Sequence, residues 1–321
     1  MTFDNCTYNG GSCYSTSVIA NQSIAWLKEL QAEKAAAKPF FAYVAVKAPH
    51  IQDGPGWPVT LPAPWYNDSF PGVTAPRTPN WNKSCAKHHW MIRTQPPMTD
   101  EQAFHSDALY RARWQSLLSV DDMVEGVVNQ VEAMGATKKT YFIFTSDHGY
   151  RFGQYRMPQG KWNAYDNDLR IPFVIRGPGI MPGTTFKNIA TQVDTMPTIL
   201  GLAGVATPPT MDGRSIAHLL MTSENATAEN APASQLLATQ AEAAPWRTSQ
   251  LIEYYGLGAV VRYEHLEDND NNTFRCLRVI DDKAPKGESN LKLCEFVGWP
   301  NWSANSGRSS ISCVFCCLFY G

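Results

Sequence analysis

An α/β fold is what this sequence predicts, and three observations carry the prediction. Residues 40–46 (Phe-Phe-Ala-Tyr-Val-Ala-Val) and 141–146 (Tyr-Phe-Ile-Phe-Thr-Ser) are unbroken aromatic and β-branched runs, the pattern of strands covered on both faces of a sheet. Between them, apolar residues recur at three- and four-residue spacing, the mark of an amphipathic helix. A further run, 171–176 (Ile-Pro-Phe-Val-Ile-Arg), closes on Gly177-Pro-Gly179, so strand, helix and strand alternate.

Composition bounds the partners. The 321 residues carry 27 Lys+Arg against 29 Asp+Glu, so neither a nucleic-acid-coating basic face nor an acidic tail is implied. With 44% hydrophobic and only 17% charged residues, a disordered chain and a coiled coil are excluded. No apolar run approaches the roughly 20 residues that a membrane-spanning helix needs.

The elements follow in order. Residues 23–38 are rich in strong helix formers and stop at Pro39, which predicts a helix. The strand expected over 40–46 delivers Ala48-Pro49-His50 at its end. Residues 51–97 hold many Pro, Trp and Asn without periodicity, and read as a long surface excursion. Thr99 with Gln102 forms a capping-box pattern. The stripe Leu117, Val120, Val124, Val127, Val131 and Met134 then extends a long helix whose apolar face is core. Asp121 and Asp122 on this helix diverge by about 100°, so they read as solvated or salt-bridged rather than as a metal pair. Residues 221–247 turn to Ala, Ser, Thr, Glu and Asn, which suits a flexible linker. Beyond it, 250–255, 274–280 and 291–297 read as short strands of a small antiparallel sheet spanning 248–300.

Two signals concern the compartment. The N-terminus lacks the basic and apolar regions of a signal peptide, which on its face predicts a cytosolic protein. Seven Asn-x-Ser/Thr sequons, at Asn5, Asn21, Asn67, Asn82, Asn225, Asn271 and Asn301, point instead to the secretory pathway. So do Cys276 and Cys294, placed where a cross-strand disulfide could close a hairpin. A secretory-pathway protein whose start is missing fits both.

Chemistry is expected at strand ends, where loops converge above an open α/β sheet. Asp147-His148-Gly149 ends a strand. A carboxylate beside an imidazole can hold a divalent cation if the chain turns at His148, while a plain turn or N-cap aspartate is the alternative. His50 alone reads as a structural histidine, and Lys161 alone as a surface cation.

Taken together, Val46-Lys-Ala-Pro-His50, Trp114-Gln-Ser-Leu-Leu-Ser-Val-Asp-Asp-Met123, Thr145-Ser-Asp-His-Gly-Tyr150, Gly160-Lys161 and Tyr165-Asp-Asn-Asp-Leu-Arg-Ile-Pro-Phe-Val-Ile-Arg-Gly-Pro-Gly179 resemble the sulfatase family in order and spacing. Lys87-His-His-Trp-Met-Ile-Arg93 with Pro97-Met-Thr99 makes the chain similar to the branch that contains N-acetylglucosamine-6-sulfatases and related arylsulfatases. Val193-Asp-Thr-Met-Pro-Thr-Ile-Leu200 and Asp212-Gly-Arg-Ser215 extend the similarity. The resemblance implies an alkaline-phosphatase-like mixed sheet flanked by helices, with a small C-terminal antiparallel sheet subdomain. It makes Asp147 and His148 ligands of a divalent cation, usually calcium in this family. It sets His50 and Lys161 on the sulfate, with His50 or Asp147 delivering a proton to the leaving alcohol. The implied substrate is a sulfated carbohydrate or an aryl sulfate ester, with no nucleic-acid partner, in a full-length protein of the lysosome or the extracellular space.

The family's formylglycine nucleophile comes from a Cys-x-Pro-Ser-Arg motif, and each cysteine here is followed by something else. The paired aspartates after the first strand and the Lys and His that follow the nucleophile are also missing. Residues 1–220 are therefore expected to be the C-terminal part of a catalytic domain, inactive alone, and 301–321 an aberrant tail whose Cys-x-x-Cys lacks a second pair. Two other classes stay open. One is a phosphodiesterase or phosphatase of the alkaline phosphatase superfamily, for which His218 and His265 offer no second metal motif. The other is a non-catalytic sulfated-glycan-binding glycoprotein.

Overall fold

The computed structural model describes residues 13–33, 39–52, 56, 57, 59–84, 86, 88–221, 245–256, 258, 260–262, 265–269, 271–280, 290–297, 314 and 315. The helices are α1 (Ser15–Ala32), α2 (Trp90–Arg93), α3 (Asp100–Ala133), α4 (Asp166–Leu169), α5 (Thr195–Leu202) and α6 (Ala217–Leu220). The strands are β1 (Phe142–Thr145), β2 (Phe173–Arg176), β3 (Ser249–Tyr254), β4 (Val260–Arg262), β5 (His265–Asp268), β6 (Thr273–Ile280), β7 (Asn290–Val297) and β8 (Val314–Phe315). The chain forms two compact units, one of residues 1–81 and 98–140, the other of residues 82–97 and 141–321.

In the first unit α3 is the organiser. The Thr99 hydroxyl accepts from the Gln102 backbone N–H at 3.2 Å and the Thr99 N–H donates to the Gln102 side-chain Oε1 at 2.7 Å, so the expected capping box is formed. Val120 and Val131 of the expected stripe are buried, while Val124 is 39% exposed. Helix α1 lies along α3: a Cβ at Gly126 would meet Ile24 Cδ1 at 2.8 Å, and Gln31 donates to the Ala133 carbonyl at 3.1 Å. α1 starts at Ser15, earlier than the helix expected over 23–38, and residues 34–38 lie outside the described residues.

Side chains of α3 pin the aperiodic excursion. Asp107 takes both guanidinium nitrogens of Arg77, at 2.8 and 2.6 Å, and Gln115 donates to the carbonyls of Asn67 and Ser69 at 2.6 and 2.8 Å. Asp122 accepts from the Tyr66 hydroxyl at 2.8 Å and Asp121 is exposed. Residues 40–46 correct the sequence expectation. They form no strand, and Phe41 and Tyr43 are 60% and 84% exposed, because no described strand pairs with them.

In the second unit β1 and β2 pair antiparallel, with Phe142 opposite Arg176. A Cβ at Gly177 would meet the Tyr141 ring at 2.2 Å, so a side chain there would break the close approach at the strand end. The expected C-terminal sheet is present, in the order β3-β6-β7-β8 and antiparallel throughout. Its alternation turns Phe274, Cys276, Cys294 and Phe296 inward onto Ala164, Ile252 and Tyr254. Cys276 faces Cys294 across the β6–β7 ladder and the two are disulfide-bonded. A second core gathers Trp90, Met91 and Ile92 from α2 with Tyr155, Met157 and Tyr165. Each fully buried side chain of this size contributes about 1.5–3 kcal/mol. Residues 82–97, expected on the surface, thus supply core.

The expected linker is described only at its two ends, Met221 and residues 245–247. Residues 222–244 lie outside the described residues, as do most of the expected tail and the sequons at Asn5, Asn225 and Asn301. Trp246 donates to the Ile189 carbonyl at 2.8 Å, and Arg247 pairs with the buried Asp194 at 2.5 and 2.9 Å. Residues 245–247 are therefore held firmly.

Candidate functional site

Strand β1 ends on Thr145, and the chain turns at once. A Cβ on Gly149 would sit 2.0 Å from the Asn167 carbonyl oxygen, and the Gly149 N–H donates to the Asp168 carbonyl at 2.8 Å. Only glycine fits that approach. The turn lets two neighbouring side chains converge where extended backbone would splay them. Asp147 Oδ1 accepts from the His148 N–H at 3.0 Å, and Oδ2 lies 3.4 Å from His148 Nε2.

The tautomer of His148 follows from its partners. Nδ1 lies 2.7 Å from the Gly149 carbonyl oxygen, an acceptor, so Nδ1 carries the proton. Nε2 lies between Lys161 Nζ at 2.5 Å and Asp147 Oδ2 at 3.4 Å. Burial works to raise the Asp147 carboxyl, but His148, its backbone N–H and Lys161 outweigh that and hold it below the usual carboxylate range. The Asp147 side chain is 83% exposed, open to a ligand.

Lys161 comes from a loop locked beneath the site. Arg151, buried, forms an ion pair with the buried Asp168, which also accepts from the Asn163 N–H at 2.8 Å. The Arg151 N–H donates to the Gly160 carbonyl at 3.0 Å, placing Lys161 one residue beyond the bridge. Burial pushes the Asp168 carboxyl up to about 6 against the pull of Arg151 and the Asn163 N–H. Gln192 adds a contact that sequence reasoning missed: its amide donates to the Ser146 carbonyl at 2.5 Å. The signal was present, since Gln192 immediately precedes the Val193-Asp194 motif.

The second unit thus brings together Asp147, His148 and Lys161. His50 belongs to the first unit, where its Nδ1 lies 2.6 Å from the Ile51 carbonyl oxygen. Its turn is anchored from α3 by Arg113, which donates to the Pro49 carbonyl at 2.9 Å.

Among the described residues no group of three or more His, Cys, Asp or Glu side chains could hold a metal ion. Calcium takes about six to eight oxygen ligands. Asp147 supplies a carboxylate, and His148 a nitrogen whose lone pair already faces the Lys161 ammonium. The described donors do not by themselves fit such an ion. What they offer is an exposed carboxylate beside a half-buried imidazole and cation, an arrangement able to receive a tetrahedral oxyanion through the cation. No described helix is long and apolar enough to cross a membrane.

Comparison with known proteins converges on one family. The Sulfatase family matches residues 1–205. N-acetylglucosamine-6-sulfatase of Bos taurus is 35% identical over 301 residues, covering 88% of this chain and 48% of its own length. The arylsulfatase of Volvox carteri is 32% identical over 292 residues, covering 84% and 43%. The chain spans about half the length of the curated relatives it matches. Among solved structures, a protein in complex with its substrate D-glucosamine-2-N,6-O-disulfate superposes with a TM-score of 0.65 at 21% identity, over 90% of this chain and 61% of that one. A phosphonate monoester hydrolase from Silicibacter pomeroyi gives 0.64 at 22% identity, over 90% and 53%. These likenesses bear out the alkaline-phosphatase-like fold expected from the sequence.

Proposed function

From the premise that this chain belongs to the sulfatase family, we propose that it is part of a sulfuric ester hydrolase whose substrates are sulfated sugars or aryl sulfates. The observation that carries the reading is the meeting of Asp147, His148 and Lys161 at the end of β1, inside the region that matches the family. Ester cleavage puts negative charge on the sulfuryl oxygens and the leaving oxygen. Lys161 offers a fixed positive charge to the former, and His148 lies against that ammonium at its Nε2. Of the two metal ligands that the family's pattern implies, the exposed Asp147 carboxylate is open to a divalent cation, whereas His148 Nε2 faces the Lys161 ammonium.

No cysteine of the sequence stands in Cys-x-Pro-Ser-Arg, so the nucleophile would come from outside these residues. Residues 1–220 then form the later part of the catalytic domain, 221–247 a connection and 248–300 the small sheet subdomain. The sequons and the Cys276–Cys294 disulfide support a secretory-pathway protein.

Calorimetric titration of the purified chain with glucosamine 6-sulfate, with and without calcium, tests the reading. Binding that Lys161→Ala abolishes, without release of sulfate, is the expected result. Equal binding by the Lys161→Ala variant, or tighter binding of glucosamine 6-phosphate, would contradict it.

A further inference from the structure

We infer that Asn272 is a positioning residue for Lys161, and that the C-terminal sheet sets the cation of the site. The inference rests on the reading of Lys161 as the oxyanion contact. The observation is a line of contacts from the sheet to the segment that follows Lys161. Asn272, 2% exposed at the turn leading into β6, donates through its amide nitrogen to the Trp162 carbonyl at 2.8 Å and to Asp268 Oδ1 at 2.9 Å. Asp268, fully buried, also accepts from the Tyr254 hydroxyl at 2.6 Å. Two strands add further holds on the same segment. Lys292 of β7 donates to the Ala164 carbonyl and to Asp166 Oδ1, at 2.5 and 2.9 Å, and Arg278 of β6 reaches Asp166 at 2.9 Å.

The backbone shows why such holds are needed. Trp162 sits at φ 76° and Gly160 at φ 117°, on either side of Lys161. A tryptophan in the left-handed region is unfavourable by about 1–3 kcal/mol and persists only where its surroundings fix it. The Asn272 amide fixes the carbonyl of that residue, one peptide unit from Lys161. Both protons of its NH₂ group are used, one on each acceptor, so no smaller residue reproduces the pair. Lys292 and Arg278 neutralise Asp166, whose carboxyl they hold below the usual range although burial works to raise it. The small sheet therefore acts on the site without touching the substrate.

The experiment uses the 321-residue chain, its Asn272→Ala and Asn272→Asp variants, and Leu202→Val as a control for general destabilisation in the same unit. Two readings are taken: nuclear Overhauser contacts between the Lys161 side chain and the His148 ring in the absence of ligand, and affinity for inorganic sulfate. Both Asn272 variants are expected to lose the Lys161–His148 contacts and to weaken sulfate binding about tenfold, the scale of one lost hydrogen bond of this kind. Leu202→Val should keep both. Persistence of the contacts in a folded Asn272→Ala protein overturns the inference, as does their equal loss in Leu202→Val. If the parent chain shows the contacts and Asn272→Ala loses them, but neither binds sulfate, positioning stands and the functional reading fails.

Discussion

His89 is fully enclosed, its ring stacked 4.1 Å from that of Phe296, and neither ring nitrogen has a hydrogen-bond partner among the described residues. Burial, with His88, Arg93 and Arg151 adding repulsion, pushes it down to about 3. The unfolded chain therefore takes up this proton first as pH falls through about 6.5, and stability present above that pH declines between there and about 3. The slope is about 1.4 kcal/mol per pH unit from this one group, or about 2 kcal/mol by pH 5. Guanidinium unfolding at pH 7.5 and 5.0 should show that loss, and His89→Phe, which keeps the stack and cannot titrate, should remove it. An unchanged pH dependence in the variant would refute the assignment. Gly149→Ala is the second test at this scale. Its methyl would meet a backbone carbonyl at 2.0 Å, so the turn must open, at a cost of about 3 kcal/mol and with sulfate binding lost. Wild-type binding by that variant would show the turn to be dispensable.

Among the elements, α3 was the most legible, because its cap and its stripe are local patterns: Thr99→Ala should cost about 1 kcal/mol in equilibrium unfolding. An effect near zero would mean that the cap is replaced by water. Elements that depend on distant partners were read less well. Residues 40–46 have the composition of a buried strand, but pairing is a long-range event, and Tyr43 stands exposed without a described neighbouring strand. Helix α2 is a single turn, too short for periodicity, so no local pattern marks Trp90, Met91 and Ile92 as core. The site divides along the same line. Asp147, His148 and Lys161 were found from their order along the chain, a one-dimensional signal. Gln192 and Asn272 act through contacts 46 and 110 residues away in sequence, which only the fold creates.

At the scale of the whole molecule, the chain after the undescribed stretch 222–244 returns to hold what precedes it. Arg247 makes two hydrogen bonds to Asp194, whose carboxylate is 2% exposed and also accepts from the Arg214 N–H at 2.8 Å. Arg247→Met should lower stability by about 3 kcal/mol by leaving that carboxylate without its cation. A loss below about 1 kcal/mol would show the pair to be incidental. The C-terminal sheet grips residues 162–166 in the same manner, so the segment bearing Lys161 depends on residues more than a hundred positions later. Function follows from that closure only if the rim of Asp147, His148 and Lys161 receives an oxyanion. Nitrogen-15 spectra of the His148 imidazole, recorded while glucosamine 6-sulfate is added, address this most directly. A saturable shift of the Nε2 resonance that Lys161→Ala eliminates is expected. An Nε2 resonance that stays still at saturating sulfated sugar would contradict the account.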